Sequence, residues 1–122
     1  MSAGGPQNQR AHVRVRPSPR APIEVQIMGD GFLDLVRARD LSVGGVSVFI
    51  AHDFVGCNLE NRVDLVISLP HEKPFMAQGV VRHRTAADGL HSFGVQFTHL
   101  TADGRRRIEA YVKQRVAEGG AT

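Results

Sequence analysis

Apolar residues alternate with polar ones through the first part of the chain. Three strongly apolar residues occupy every second position there: Ile23, Val25 and Ile27. This two-residue period predicts a half-buried β-strand, and the glycine-containing turn at residues 29–31 predicts a hairpin after it. Leu33 and Leu35 continue the pattern, with Val36 as a further candidate, so we expect these to be the apolar positions of a second strand that runs towards Asp40.

Four further segments are rich in β-branched and aromatic residues, and each is bounded by turn residues. They cover residues 46–50, 63–69, 75–84 and 90–97. Six short strands at this spacing predict a mainly β protein, an antiparallel barrel that is closed or nearly closed over residues 22–98. Closure would also remove the unpaired edges that a small open sheet must protect.

The hydrophobic period changes near the end of the chain. Four positions there fall on one helical face: Ile108, Tyr111, Val112 and Arg115 or Val116. Asp103 lies near the expected N-terminus of the helix, where a negative charge is favourable. The pattern predicts an amphipathic helix over residues 102–117 that covers one opening or flank of the barrel and ends at Gly119-Gly120.

The two ends of the chain have neither period. Residues 1–9 are small and polar, and we expect a disordered tail there, as for residues 118–122. Residues 10–21 form a basic arm in which prolines disfavour a helix. A single domain over residues 10–117 is therefore predicted, consistent with a length of 122 residues.

Composition limits the protein's setting. The apolar runs are too short for a membrane-spanning helix, so no membrane insertion is expected. Cys57 is the single cysteine and cannot form an internal disulfide, which fits the cytoplasm. The formal net charge is +3, and only Lys73 and Lys113 of the 15 basic residues are lysine. Arginine supplies a planar fork that suits phosphate, carboxylate and the guanine edge, although a GC-rich genome would also favour it.

The basic arm contains two arginines with the spacing Arg10-x-x-x-Arg14. Guanine offers two acceptors, O6 and N7, that match a guanidinium fork, and its face can stack on arginine. A phosphodiester accepts the same bidentate pairing. Arg16-Pro17-Ser18-Pro19-Arg20 has the same spacing, but its prolines and the start of the strand at Ile23 favour the first pair.

A second pattern, Asp40-x-Ser42-x-x-Gly45, occupies the turn between the second and third predicted strands. The Asp40 carboxylate can accept from the N1–H and amino group of guanine, and Ser42 can donate to a phosphate. Gly44 and Gly45 let backbone N–H groups approach an anion without an intervening Cβ. Ordinary turn chemistry would also favour these residue types.

The sequence does not have the motifs of common enzymes or metal sites. The sequence has no nucleophile elbow, no Walker loop and no paired carboxylates, so we expect no enzymatic activity. Its histidines do not have the spacing of metal ligands, and Cys57 has no second cysteine beside it, so no metal site and no cofactor are expected.

The two motifs, in this order and with this spacing, resemble those of the PilZ domain, the bacterial receptor family for cyclic di-GMP. The resemblance covers roughly residues 9–115. It includes Gly79-Val80-Val81-Arg82, Gly94-Val95-Gln96-Phe97 and the closing helix. It implies that Arg10 and Arg14 engage guanine and phosphate.

The resemblance also implies that Asp40, Ser42 and Gly45 hold the other side of the ligand, with Gly44 beside them. Whether Arg16 or Arg20 also contacts the ligand stays open. In this family an additional arginine just before the first motif accompanies a stacked ligand dimer. Gln9 occupies that position here, which favours one ligand per chain.

Three functional hypotheses follow. The leading one is a cyclic di-GMP receptor whose arm becomes ordered on binding and so signals to an effector protein that the sequence does not identify. The second is a PilZ-like adaptor that binds proteins, for instance around pili, without the ligand. The third is a small nucleic-acid-binding barrel, which is disfavoured because the chain has one tyrosine, no tryptophan and phenylalanines mostly at core-like positions.

Overall fold

The computed structural model describes residues 12–50, 58–87 and 90–122. The elements in chain order are β1 (Glu24–Gly29), β2 (Phe32–Ser42), β3 (Gly45–Ile50), β4 (Arg62–Ser68), β5 (Phe75–Ala87), β6 (Leu90–Leu100) and α1 (Ala102–Ala117). All strand pairs are antiparallel, and the order β1-β2-β3-β6-β5-β4 closes because β1 also pairs with β4. The predicted fold class, a six-stranded antiparallel barrel with a C-terminal helix, is confirmed.

Alternate residues of the strands point into the barrel and form its core. The largest fully buried side chains include Phe93, Ile27, Ile50, Leu65 and Ile67. Because successive strand residues face opposite sides, the outward positions carry most of the polar residues together with a few exposed apolar ones. The core therefore fills the barrel, and ligand chemistry is confined to its outer wall and its ends.

The face assignment within β2 was wrong. Leu33 and Leu35 are each 62% exposed, whereas Val36 and Ala38 are buried. The reason is the pairing with β1, in which Val36 lies opposite the buried Val25. A shift of one residue in the pairing moves every side chain of a strand to the other face. The pairing with β1, and not the apolar character of the leucines, therefore decides which β2 residues point into the barrel.

The helix α1 has the predicted bounds and packs against β2 and β5. Thr101 is its N-cap, and the Thr101 hydroxyl accepts a hydrogen bond of 2.9 Å from the Gly104 N–H. Ile108 and Val112 are buried against the barrel. The amphipathic pattern therefore identified the helix and its buried residues Ile108 and Val112, whereas Val116, which was expected on the same face, is 45% exposed.

The residues after α1 differ from the expected disordered tail at 118–122. Gly119 adopts a left-handed backbone conformation with φ of 84°, which reverses the chain at the end of the helix. Ala121 then forms an antiparallel bridge with Val15 of the arm. The sequence pattern did not reveal this pairing because its partner lies about a hundred residues away and neither segment alternates.

Candidate anion-binding cleft

The segment ahead of β1 is attached to β2 at Val15. The Val15 N–H donates to the Leu41 carbonyl over 3.0 Å, and the Leu41 N–H donates to the Val15 carbonyl over 2.9 Å. The Val15 side chain is fully buried, so an apolar contact accompanies these bonds. Because paired antiparallel strands run in opposite directions, this register sets Arg14 beside Ser42.

The arginines of the arm have different positions. Arg14 is half-buried and lines a cleft beside the 42–45 turn. Arg10 lies outside the described residues. Arg16 is not among the described residues that line the cleft, and its carbonyl accepts a hydrogen bond of 2.7 Å from Nε of Arg115.

Ser42 is almost fully buried, with 7% of its surface exposed. Its Oγ accepts a hydrogen bond of 3.1 Å from the Gly44 N–H, an arrangement typical of serine in a turn. The opposite side of the same turn is attached to β6, where the Phe97 N–H donates to the Gly44 carbonyl over 2.9 Å. The turn is therefore fixed from two directions before any ligand binds.

Gly45 lies against the backbone of β6. A Cβ at this position would collide with the Val95 carbonyl oxygen and come within 3.3 Å of the Gln96 Cα. Glycine is required here by the packing of two strands. The last position of the second motif thus has a structural reason that does not involve a ligand.

The arm, the turn and two late strands enclose a cleft of about 670 Å³. Its polar lining residues are His12, Arg14, Asp40, Ser42, Ser47, Arg82, His83, Gln96 and Arg105. The first five come from the two motifs and their neighbours, and the last four come from β5, β6 and the first turn of α1. The structure therefore brings Arg14, Asp40 and Ser42 together, as the sequence predicts, and adds a wall that the sequence analysis missed.

Arg82 is the best-positioned residue of this missed wall. Its Nε donates to Oε1 of Gln96 over 2.8 Å, and its Nη1 forms an ion pair of 2.5 Å with Oε1 of Glu60. Glu60 itself has a φ of 69°, an uncommon conformation for a residue other than glycine. Its N–H is held by the Val81 carbonyl over 2.8 Å. These contacts fix the direction of the Arg82 guanidinium.

Part of this wall could have been anticipated from the sequence. Arg82 and Gln96 belong to the two late segments that resemble the PilZ family, but nothing in those segments says which face they occupy. The register between β5 and β6 shifts between Val81 and His83, so strand alternation alone gives the wrong face for one of these neighbours. The pairing of Gly45 with Gln96 places β6 beside the turn, and the pairing of Gln96 with Val80 places β5 next to β6.

Positive charge predominates in the cleft. Among the described residues that line it, the charged side chains are three arginines and one carboxylate: Arg14, Arg82, Arg105 and Asp40. Guanidinium groups on two facing walls favour an anion that spans them, and one carboxylate leaves room for a donor group such as a base edge. The cleft is suited to a ligand that combines phosphate with a hydrogen-bonding base.

Among residues 12–50, 58–87 and 90–122, no group of three or more His, Cys, Asp or Glu side chains is arranged to hold a metal ion. In those ranges no helix has the length and apolar character that crossing a membrane requires.

The chain is similar to a known protein family and to two curated proteins. The family model described as PilZ domain matches residues 8–114. The flagellar brake protein YcgR of Thioalkalivibrio sulfidiphilus is 27% identical over 103 residues, which are 84% of this chain and 42% of the relative. An uncharacterized protein of Aquifex aeolicus is 26% identical over 120 residues and is covered to 52%. The chain thus spans about half the length of the curated relatives that it matches.

Solved structures share the fold. The PilZ domain of YcgR from Escherichia coli, solved with c-di-GMP, superposes with a TM-score of 0.74 at 15% identity, over 91% of this chain and 94% of that one. The K. pneumonia MrkH–c-di-GMP complex gives a TM-score of 0.76 at 19% identity, over 90% of this chain and 53% of that one. At these identities the likeness extends to the barrel and its closing helix.

Proposed function

Since the chain belongs to the PilZ domain family, we propose that it binds one molecule of cyclic di-GMP in the cleft between Arg14 and the 40–45 turn. The observation that supports the proposal is the two-way backbone pairing of Val15 with Leu41, because it sets Arg14 beside the 40–45 turn in one cleft. The cleft volume of about 670 Å³ lies within the ordinary range for small-molecule sites. The YcgR and MrkH structures contain the same ligand.

In this proposal the motif residues have separate roles. Arg14, with Arg10, pairs with a phosphate and with the O6 and N7 edge of guanine. Asp40 accepts from the opposite edge of the base. Ser42 keeps the turn in shape through its bond to the Gly44 N–H, and its hydroxyl proton stays available to an acceptor on the ligand.

In this proposal, two arginines on the opposite wall of the cleft also bind the ligand. Arg82 faces the ligand with two of its donors already engaged by Glu60 and Gln96, so little side-chain freedom is lost when it binds an anion. Arg105 lies in the first turn of α1, on the same side of the cleft. Its Nε is 3.7 Å from Oε2 of Glu109, which is four residues further along the helix. Two arginine walls match a ligand with two phosphates on opposite sides of a ring.

Binding is the whole of the proposed activity. No reaction is assigned to the cleft, and we propose that the bound state is read by a separate effector protein in the cytoplasm. The described arm limits how this signal arises. Since Val15 is already buried and paired, we propose that ligand-dependent ordering is confined to residues ahead of it, a shorter switch than ordering of the whole arm at residues 10–21.

Isothermal titration calorimetry with cyclic di-GMP tests the proposal, with cyclic di-AMP and GTP as competitors. We expect saturable binding near one ligand per chain, and Arg14→Ala should weaken it by about tenfold or more because a charged hydrogen-bond partner is lost. Arg37→Ala is the matched control, since Arg37 is exposed on β2 and does not line the cleft. Equal affinity for all three nucleotides, or no effect of Arg14→Ala, would refute the assignment.

A further inference from the structure

The last residues of the chain run antiparallel to the arm. The Arg16 N–H donates to the Gly120 carbonyl over 2.9 Å, and the Thr122 N–H donates to the Arg14 carbonyl over 3.0 Å. The arm at residues 14–16 therefore has a backbone partner on both sides, β2 on one and residues 120–122 on the other.

The end of α1 directs these residues to the arm. Glu118 is the C-cap, and Gly119 with φ of 84° turns the chain back, a conformation that residues other than glycine rarely adopt. The Gly120 N–H then donates to the Arg115 carbonyl over 2.7 Å. The Gly119-Gly120 pair thus does more than end the helix, because it sets the direction of the returning strand.

Arg115 joins the same three segments through its side chain. Its Nε donates to the Arg16 carbonyl over 2.7 Å, and its Nη1 pairs with Oε1 of Glu118 over 2.9 Å. The side chain is only 14% exposed, although it is charged. Its hydrogen bonds to Glu118 lower the pKa of that carboxyl group, so the ion pair persists at neutral pH.

We infer that Arg115 and residues 118–122, together the C-terminal clasp, position Arg14 for the ligand without touching the ligand themselves. The inference rests on the proposed function. A peptide that is hydrogen-bonded on both sides has a fixed plane, and the side chain that leaves it starts in a fixed direction. Without the clasp, the Arg14 carbonyl loses the Thr122 N–H as a donor. Arg14 then lies at the end of a segment that is paired only with β2.

The clasp also couples the cleft to the end of α1. If the clasp favours the ligand-ready position of Arg14, then the bound ligand must favour the clasped state by the same free energy. An effector protein that contacts residues 118–122 would therefore distinguish the bound from the free state. The clasp is a route from the cleft to the surface that does not require the barrel to change shape.

The sharpest test removes one N–H group. Thr122→Pro deletes the N–H donor to the Arg14 carbonyl, and Thr122→Ala is its matched control because it keeps that N–H and removes only side-chain atoms, the hydroxyl and the methyl group. We expect calorimetry to show cyclic di-GMP binding weakened by about threefold to tenfold in Thr122→Pro and nearly unchanged in Thr122→Ala. Arg115→Ala should resemble Thr122→Pro, and Arg115→Lys should recover part of the loss.

A double-mutant cycle separates positioning from general loosening. If the clasp acts through Arg14, adding Thr122→Pro to Arg14→Ala should cost less than twofold, whereas adding it to Asp40→Ala should cost the full factor. Equal losses in both backgrounds, or wild-type affinity in Thr122→Pro, would overturn the inference while leaving the receptor assignment intact. Failure of the wild-type chain to bind would instead refute the proposed function.

Discussion

The imidazole ring of His12 lies on the backbone of Gly44, so that a Cβ at residue 44 would come within 2.7 Å of the ring's Cδ2 atom. The neighbouring Gly45 has a different contact, the backbone of β6 at Val95. One neighbour is the end of a movable side chain and the other is a fixed strand. Two adjacent glycines of one turn therefore have different reasons to lack a side chain.

The first prediction compares the two glycines directly. Gly45→Ala forces two strands apart and should lower the free energy of unfolding by about 1–3 kcal/mol. That loss corresponds to a melting temperature lower by roughly 3–10 °C for a domain of this size. Gly44→Ala needs only a rotation of His12 and should melt within about 2 °C of the wild type. Circular dichroism melts of both variants measure the difference, and equal melting temperatures would contradict it.

The second prediction concerns the wall formed by β5 and β6. Arg82→Ala should weaken cyclic di-GMP binding by about tenfold, because a directed guanidinium is lost from the cleft. Glu60→Gln keeps the shape of the partner but removes its charge, so a smaller loss of about twofold to threefold is expected. Arg62→Ala is the control, since Arg62 is an exposed arginine of β4 that does not line the cleft. Wild-type affinity of Arg82→Ala would remove this wall from the site.

The secondary structure could be predicted from the sequence because it depends on the pattern of neighbouring residues. Alternation and turn residues predict all six strands, and the period of Ile108 and Val112 predicts the helix. The prediction that Leu33 and Leu35 face the core of the barrel was wrong. These leucines are more apolar than Ala38, but the pairing of Val36 with Val25 decides which face of β2 is buried. Local hydrophobicity cannot override the register of a partner strand.

The candidate site divides in the same way. Arg14, Asp40 and Ser42 were identifiable because a short motif carries them, and Arg10 stays a prediction from that motif. Arg82 could not be identified, because its place in the cleft depends on a register shift in β5 and on the pairing of β6 with the 40–45 turn. The partners Glu60 and Gln96 are separated from it by 22 and 14 residues, distances over which sequence patterns give no geometry.

The third prediction separates a dinucleotide receptor from a nucleic-acid-binding barrel. Binding of a single-stranded oligonucleotide through many phosphates loses affinity steeply with salt, with a logarithmic slope of about −0.7 per neutralised phosphate. Cyclic di-GMP carries two phosphates and is held partly by base contacts, so its slope should be no steeper than about −1.5. Titrations across a range of salt concentrations measure both slopes. Tighter binding of a random oligonucleotide than of cyclic di-GMP at moderate salt would favour the barrel hypothesis.

The fourth prediction uses Tyr111, the single tyrosine of a chain without tryptophan. Burial raises the pKa of Tyr111 above its ordinary value of 10.0, against the opposing effect of the Arg115 guanidinium. The folded protein therefore keeps this proton to a higher pH than the unfolded chain does. The corresponding stability is present below pH 10 and is lost as the pH rises through the folded-state pKa.

Absorbance of tyrosinate follows this one group. We expect its midpoint above pH 10.0 in the folded protein and at the ordinary value in denaturant. In Tyr111→Phe the loss of stability between these two midpoints should disappear, because no proton is released there. A folded-state midpoint at or below the value in denaturant would contradict the burial of the hydroxyl group.

The fifth prediction locates the ligand-dependent change within the arm. The amide of Val15 donates to Leu41 of β2, so it should already exchange slowly in the free protein, whereas the amide of Arg16 donates to Gly120 of the clasp. Val13 is 55% exposed, and Arg14 gains its ligand contacts only in the bound state. Cyclic di-GMP should therefore raise protection at residues 12–14 and at the 43–45 turn while leaving Val15 nearly unchanged. Amide hydrogen exchange with and without ligand measures this boundary, with Ile67 in the barrel core as the internal reference. A rise at Val15 and Arg16 as large as that at residue 14 would mean that the whole arm folds on binding, and the receptor would then use a longer switch than its backbone pairing allows.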